Sequence, residues 1–216
     1  MPANPRREVL LLTPIIDRLN QLLRRVPAWT LYIVFAIYVG WQFWLALNQS
    51  GRYLVEPINA LEREYGETAL KLIVAGLMIT PLRRFTGVNL LKFRRAIGVA
   101  AFFMVLAHFL VFAVLDVQSI SRVWTEVVKR PYVTVGAAGF LMMIPLAVTS
   151  NNLSLRKLGG ATWRKLHKLA YPIAVLGSVH YLWLVKGFQI EPLIYLVVIF
   201  GLLALRVKFA ARRVPA

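Results

Sequence analysis

The sequence predicts an all-α membrane protein, a six-transmembrane-helix bundle with both termini on the cytoplasmic side. Three observations carry this expectation. The chain is 59% hydrophobic and 16% charged, with a mean hydropathy of +0.64, whereas an ordinary soluble domain is about 45–50% apolar and about 25% charged. Its apolar residues gather into runs near the roughly 17–25 residues that cross a hydrocarbon core. The 26 Lys and Arg, against 9 Asp and Glu, fall in short clusters between those runs.

Taken in order, residues 1–27 read as a cytoplasmic amphipathic segment. Pro14 and Asp17 interrupt the apolar stretch Val9–Ile16 and no small-residue cleavage site follows, so it does not read as a signal peptide. Leu10–Leu23 is expected to lie on the membrane surface as a helix. The first span is Ala28–Leu47, free of charge, with Trp29, Tyr32, Trp41 and Trp44 placed as interfacial aromatics. The second is Thr68–Leu82, with Lys71 near its start. The third, Ala96–Leu115, contains His108 as its one titratable group. The fourth, Tyr132–Thr149, carries Pro145 as a kink; the fifth, Leu169–Val185, contains His180; the sixth, Pro192–Leu205, continues past Arg206. Residues 28–206 thus form one transmembrane domain, and 207–216 a basic cytoplasmic tail. The connections Gly51–Gly66 and Val117–Arg130 mix apolar and charged residues. They are expected as short surface helices on the outer side and, on exposure alone, as a docking surface. No loop is long enough for a soluble domain.

Charge sets the orientation. One set of segments holds Arg6, Arg7, Arg18, Arg24 and Arg25; Arg83, Arg84, Lys92, Arg94 and Arg95; Arg156, Lys157, Arg164, Lys165 and Lys168; and Arg206, Lys208, Arg212 and Arg213. The alternate set holds only Arg52, Arg63, Arg122, Lys129, Arg130 and Lys186, together with most of the acids. This asymmetry follows the positive-inside rule and places both termini in the cytoplasm. The net charge of +17 is then a topology signal with some attraction to anionic lipid, and no nucleic-acid partner is expected. The absence of cysteine from the chain excludes disulfides, cysteine-ligated iron–sulfur clusters, thiol catalysis and c-type haem attachment.

The 3 histidines all lie in or beside spans. Ionisable groups at membrane depth are costly and point to function; the plainer alternative is a neutral imidazole bonded to a neighbouring helix. Depth favours function. His108 lies thirteen residues after Arg95, and His180 thirteen after His167, each about 20 Å along its helix from the cytoplasmic edge. Two histidines from helices running the same way then reach one level, toward the outer leaflet. They can clamp a planar metal cofactor from its two faces, and without cysteine a haem held by axial histidines is the candidate. With no open iron position, such a group suits electron transfer. His167 and Arg95 form a lower tier. It fits a second haem, with Arg95 on a propionate, and equally a routine basic edge residue. Thirteen residues do not return to one face of a straight helix, and Pro172 between the two histidines is the expected bend.

Other features discriminate less. Trp163-Arg-Lys-Leu-His-Lys reads as an interfacial anchor or as a docking and quinone site. Gly98, Gly136, Gly139 and Gly177 permit close approach of helices or a cofactor. No phosphate-binding glycine loop, paired intramembrane carboxylates or Ser–His–Asp set occurs, which argues against ATPase, antiporter and hydrolase functions.

Several stretches together resemble the MsrQ family, haem-binding membrane subunits of bacterial periplasmic methionine-sulfoxide reductase systems, in the ferric-reductase-like transmembrane superfamily. They are Ile79-Thr-Pro-Leu-Arg-Arg, Arg94-Arg-Ala-Ile-Gly, Ala107-His108, Arg130-Pro-Tyr-Val-Thr-Val-Gly, Arg156-Lys-Leu-Gly, Trp163-Arg-Lys-Leu-His167, His180-Tyr-Leu-Trp and Pro192-Leu-Ile-Tyr, in order along nearly all of the chain after about residue 28. The resemblance implies a multi-pass protein of the bacterial inner membrane that passes electrons through haem b, one or two per chain. The acceptor it implies is a periplasmic molybdopterin methionine-sulfoxide reductase, MsrP, which performs the chemistry on oxidised proteins. It also implies FMN, whose site no residue identifies. The family's haem histidines fall on His108, His180 and His167, with Arg95 where the related NADPH oxidases bear a fourth. Those oxidases carry a C-terminal flavin and nicotinamide domain that does not follow here, so the expected donor is the quinone pool or a soluble flavin reductase. The competing expectations are another ferric-reductase-like carrier and a cofactor-free membrane carrier or assembly protein.

Overall fold

The computed structural model describes the backbone of residues 5–185 and 187–211, and the side chains of 14–185 and 187–206. The expected basic tail therefore lies largely outside the described residues, as do the side chains of Arg6, Arg7 and Lys186. Within the described residues every regular element is helical. They are α1 (Pro5–Arg25), α2 (Thr30–Leu47), α3 (Pro57–Thr86), α4 (Arg94–Leu110), α5 (Ile120–Lys129), α6 (Pro131–Val148), α7 (Asn152–Leu166), α8 (Ala170–Leu184) and α9 (Ile190–Ala211). Among them, three stretches are long and apolar enough to cross a membrane: Thr30–Leu47, Leu91–Asp116 and Pro131–Val148. The other three expected spans fall on α3, α8 and α9.

Helix α3 is the axis of the bundle, packing against α2, α4, α8 and α9. It begins eleven residues before the expected Thr68, because Pro57 supplies a fixed φ at its first turn and the charged residues that read as a loop are helical, Arg63 exposed, Glu62 and Glu67 half-buried and Glu64 buried. Its 30 residues make about 45 Å of helix, more than the roughly 30 Å of a hydrocarbon core. Alanines at 69, 96, 100 and 101 are buried and let α3 and α4 approach closely, as small residues do where helices pack without a hydrophobic driving force. Met104, Met143 and Ile173 are buried beside them. A second apolar cluster joins Leu70, Val74 and Leu77 to Ala174 and Ile199.

Several connections depart from the expectation. Helix α4 leaves α geometry after Leu110 for a π turn, Val111–Asp116, directly after the turn that carries His108; such turns are frequent at functional sites. The segment after Thr149 is helical, capped by Asn151, whose Oδ1 accepts from the Ser154 amide at 2.8 Å, and kinked at Gly159 with φ +74°. A 3₁₀ turn, His167–Leu169, precedes α8. The break in helical phase between His167 and His180 thus lies at this turn, with Pro172 in the first turn of α8 where proline is tolerated. Helix α1 is tied to the α3–α4 turn, Asn20 donating to the Gly87 carbonyl at 3.1 Å and accepting from the Asn89 amide at 2.8 Å. In α5, Ile120, Trp124 and Val128 recur on one exposed face, the pattern of an interfacial helix.

Candidate functional site

Two cavities lie along the bundle and share Ile73, Met143 and Ile173 as a wall. The first, of about 290 Å³, is lined by His108 and His180, by Leu70, Val105, Phe109, Phe112 and Phe140, and at its mouth by Glu62, Arg63, Glu67, Asp116 and Arg130. The expected pair of histidines is therefore brought together, from α4 and α8. His108 Nδ1 lies 2.8 Å from the Glu62 carbonyl on α3, and His180 Nδ1 lies 2.7 Å from the Tyr132 carbonyl on α6. A carbonyl only accepts, so both rings carry their proton on Nδ1. The opposite nitrogen, Nε2, is left as a free base on each ring, without a hydrogen-bond partner among the described residues. A backbone acceptor behind the ring is the usual outer-shell support of a metal-ligating histidine, fixing tautomer and orientation.

The separation of the rings tests whether one metal fits between them. An imidazole nitrogen bonds zinc at about 2.0–2.1 Å, and other first-row metals near that; adding about 1.1 Å from nitrogen to ring centre on each side gives about 6.3 Å. The observed centroid separation is 6.2 Å, with the ring planes 79° apart. Two neutral imidazoles, each held from behind and close to that separation, have the donor chemistry to hold one metal ion between them. The groups at the mouth are mixed in sign. Burial, with repulsion from Asp116, pushes the Glu62 carboxyl up to about 7, against the pull of Arg63; Glu62 stands six residues before the expected apolar stretch of α3.

The second cavity, of about 700 Å³, holds the expected lower tier. His167 and Arg95 both line it, and neither is free in the manner of the first pair. His167 Nε2 lies 3.1 Å from Thr149 Oγ1, and its ring stacks on Trp163 with centroids 3.8 Å apart. Burial, then Arg94 and Arg95, hold its pKa below the usual value. Arg95 donates to Asn152 Oδ1 at 2.7 Å. Lys92, Arg94, Arg164, Lys168 and Arg206 also line this cavity, and among the described residues no Asp or Glu does. Arg206 donates to the Leu77 carbonyl at 2.8 Å and to Tyr171 Oη at 3.1 Å, while its buried Nε has no partner among the described residues. Thr149, Asn152, Arg206 and the two backbone carbonyls were not legible as site groups; only Arg206, a cation inside an apolar run, carried a sequence signal.

The fold and the histidine pair define a helical membrane bundle with two imidazoles from different helices facing one internal cavity. Residues 65–178 match the family described as ferric reductase like transmembrane component. The chain is also 40% identical over 192 residues to the protein-methionine-sulfoxide reductase heme-binding subunit MsrQ of Brucella ovis, covering 87% of this chain and 86% of that protein. To the MsrQ of Brucella anthropi it is 40% identical over 179 residues, covering 82% and 80%. No solved structure matches. The chain belongs to the ferric-reductase-like transmembrane family and, within it, to the MsrQ proteins, and it is a membrane protein.

Proposed function

We propose that this chain is the haem b electron-transfer subunit of a methionine-sulfoxide reductase system, carrying electrons across the bacterial inner membrane to a periplasmic molybdopterin partner, MsrP. The observation that carries this reading is the pair of imidazoles, each held by Nδ1 on a backbone carbonyl, with ring centres 6.2 Å apart and Nε2 free. The relatives named above are heme-binding subunits of protein-methionine-sulfoxide reductases, which supports the same assignment. In this reading His108 and His180 would hold the haem through their Nε2 atoms, and the haem would supply one-electron transfer. The residues do the rest: the carbonyls of Glu62 and Tyr132 hold the rings, and the apolar wall of phenylalanines and Val105 keeps water from the iron. At the partner, each sulfoxide takes up two electrons and two protons and releases water as the thioether is restored.

The basic clusters support six spans with cytoplasmic termini, and in that proposed orientation the second cavity lies on the donor side and the first toward the periplasm. The second cavity suits a ligand bearing carboxylates or phosphate, because its cations meet no acid in the lining and the Arg206 Nε is buried without a partner. A second haem and FMN both have such groups; His167 and Arg95 are the residues proposed to face them. Electrons enter there from the quinone pool or a soluble flavin reductase. The segments 51–66 and 117–130 are proposed as the docking surface for MsrP.

Proteoliposomes test the reading. Reduced quinol or a flavin reductase system is supplied on one side, and MsrP with an oxidised methionine substrate is enclosed on the other. Sulfoxide reduction that depends on this chain is expected; full reduction by vesicles lacking it, or none with haem-loaded protein of either orientation, overturns it.

A further inference from the structure

The two histidine supports are copies of one local device. Glu62 and Gly66 lie on α3, Tyr132 and Gly136 on α6, and in each pair the glycine follows the carbonyl by four residues. That carbonyl is the one that accepts the glycine's own N–H in an α-helix. The imidazole is therefore a second donor to an oxygen already in use, on its remaining lone pair. Cα–Cβ bonds tilt toward the helix N-terminus, so a side chain at the fourth residue would stand over that oxygen. At Gly66 a Cβ would come within 3.1 Å of His108 Nδ1 and 3.2 Å of its Cε1. At Gly136 it would come within 2.8 Å of His180 Nδ1 and 2.9 Å of its Cε1. Contacts under about 3 Å do not occur in packed interiors, so at Gly136 the His180 ring would have to turn or withdraw; at Gly66 the contact is tighter than most real Cβ contacts and the His108 ring would have to give by a few tenths of an ångström. Nothing lies within 4 Å of the same position at Gly40 or Gly98. Among the described glycines, only these two would bring a Cβ against a histidine ring; the other tight contact, at Gly160, meets the flexible end of Arg164 at 3.0 Å.

We infer that Gly66 and Gly136 are positioning residues that fix the rotation of the His108 and His180 rings and keep their Nδ1–H bonds to backbone. The inference rests on the haem reading above. Helices α3 and α6 offer their carbonyls from different directions, and the rings consequently stand 79° apart. Near-perpendicular axial imidazoles leave the ferric iron orbitals almost degenerate, which gives a low-spin resonance with a very large principal g value. The Nδ1–H bonds add electron density to the ligands and favour ferric iron. An alanine behind either ring turns it and breaks its hydrogen bond. The largest g value then falls and the midpoint potential rises. Gly136→Ala, with the closer contact, shifts both more than Gly66→Ala.

The experiment compares purified full-length wild type, Gly66→Ala, Gly136→Ala and Gly40→Ala, whose position is open and lines neither cavity, for haem per chain, ferric electron paramagnetic resonance and redox titration. The expected result is a strongly anisotropic signal in wild type and Gly40→Ala, with graded loss in the other two. Should Gly136→Ala fail to accumulate, Gly66→Ala decides by the same two readouts. Haem-loaded Gly66→Ala with wild-type g values and potential overturns the inference alone. Wild type that binds no haem overturns the underlying reading and the inference with it.

Discussion

The two cavities share a wall and differ in how they prepare their histidines. In the first, His108 and His180 are held by main-chain oxygens on rigid helices, with the metal-binding nitrogen of each ring left open. In the second, the His167 Nε2 faces the Thr149 hydroxyl, the ring is stacked on Trp163, and the wall is a field of cations. The first is organised by geometry and suits a group that must be ligated at fixed distance. The second is organised by charge and suits a group recognised through its acidic substituents. A metal site tolerates little displacement, so its supports come from backbone; an anion site gains from several long, adjustable side chains.

The largest expected effect breaks the first cavity. Removal of an outer-shell support typically costs about 10–100-fold in metal affinity, and removal of a ligand costs more. His108→Ala and His180→Ala are therefore each expected to lose the shared haem, read as haem per chain after purification. His167→Ala separates the cavities: it is expected to leave the His108–His180 spectrum unchanged and to lower only the occupancy of the second site. Arg206→Gln is expected to weaken a carboxylate or phosphate ligand there. Hydrogen bonds to charged groups are worth about 1.5–3 kcal/mol, or about ten- to a hundredfold in affinity. Retention of flavin fluorescence or of a second haem through purification measures this.

The smallest effect lies away from both cavities. Glu64, buried on α3, is bonded by Tyr38 and Arg52 and lies 3.4 Å from the Thr68 hydroxyl. Tyr38→Phe removes one donor and leaves the others, a cost of about 1 kcal/mol. A small fall in the thermal midpoint in detergent, with haem content unchanged, is expected.

The sequence disclosed the first cavity better than the second, for a physical reason. A histidine inside an apolar run is conspicuous because membrane depth penalises it, and equal distances from the basic edges put His108 and His180 at one level. Their supports were invisible, since every residue has a carbonyl and the register between α3 and α4, or α6 and α8, is a matter of packing. Gly136 stood out only as one of several glycines, and Gly66 not at all. The early start of α3 was hidden by its charges. The lower tier was legible as basic residues near His167, but the Arg95–Asn152 bond and the place of Arg206 needed the fold.

The most direct measurement is the absorbance spectrum of the detergent-purified wild type, oxidised and then reduced with dithionite, with haem counted per chain. Sharp reduced bands of a six-coordinate b-type haem, at one or more haems per chain, are the result the histidine pair predicts. A colourless protein from haem-sufficient cells, or a five-coordinate high-spin spectrum, would contradict it.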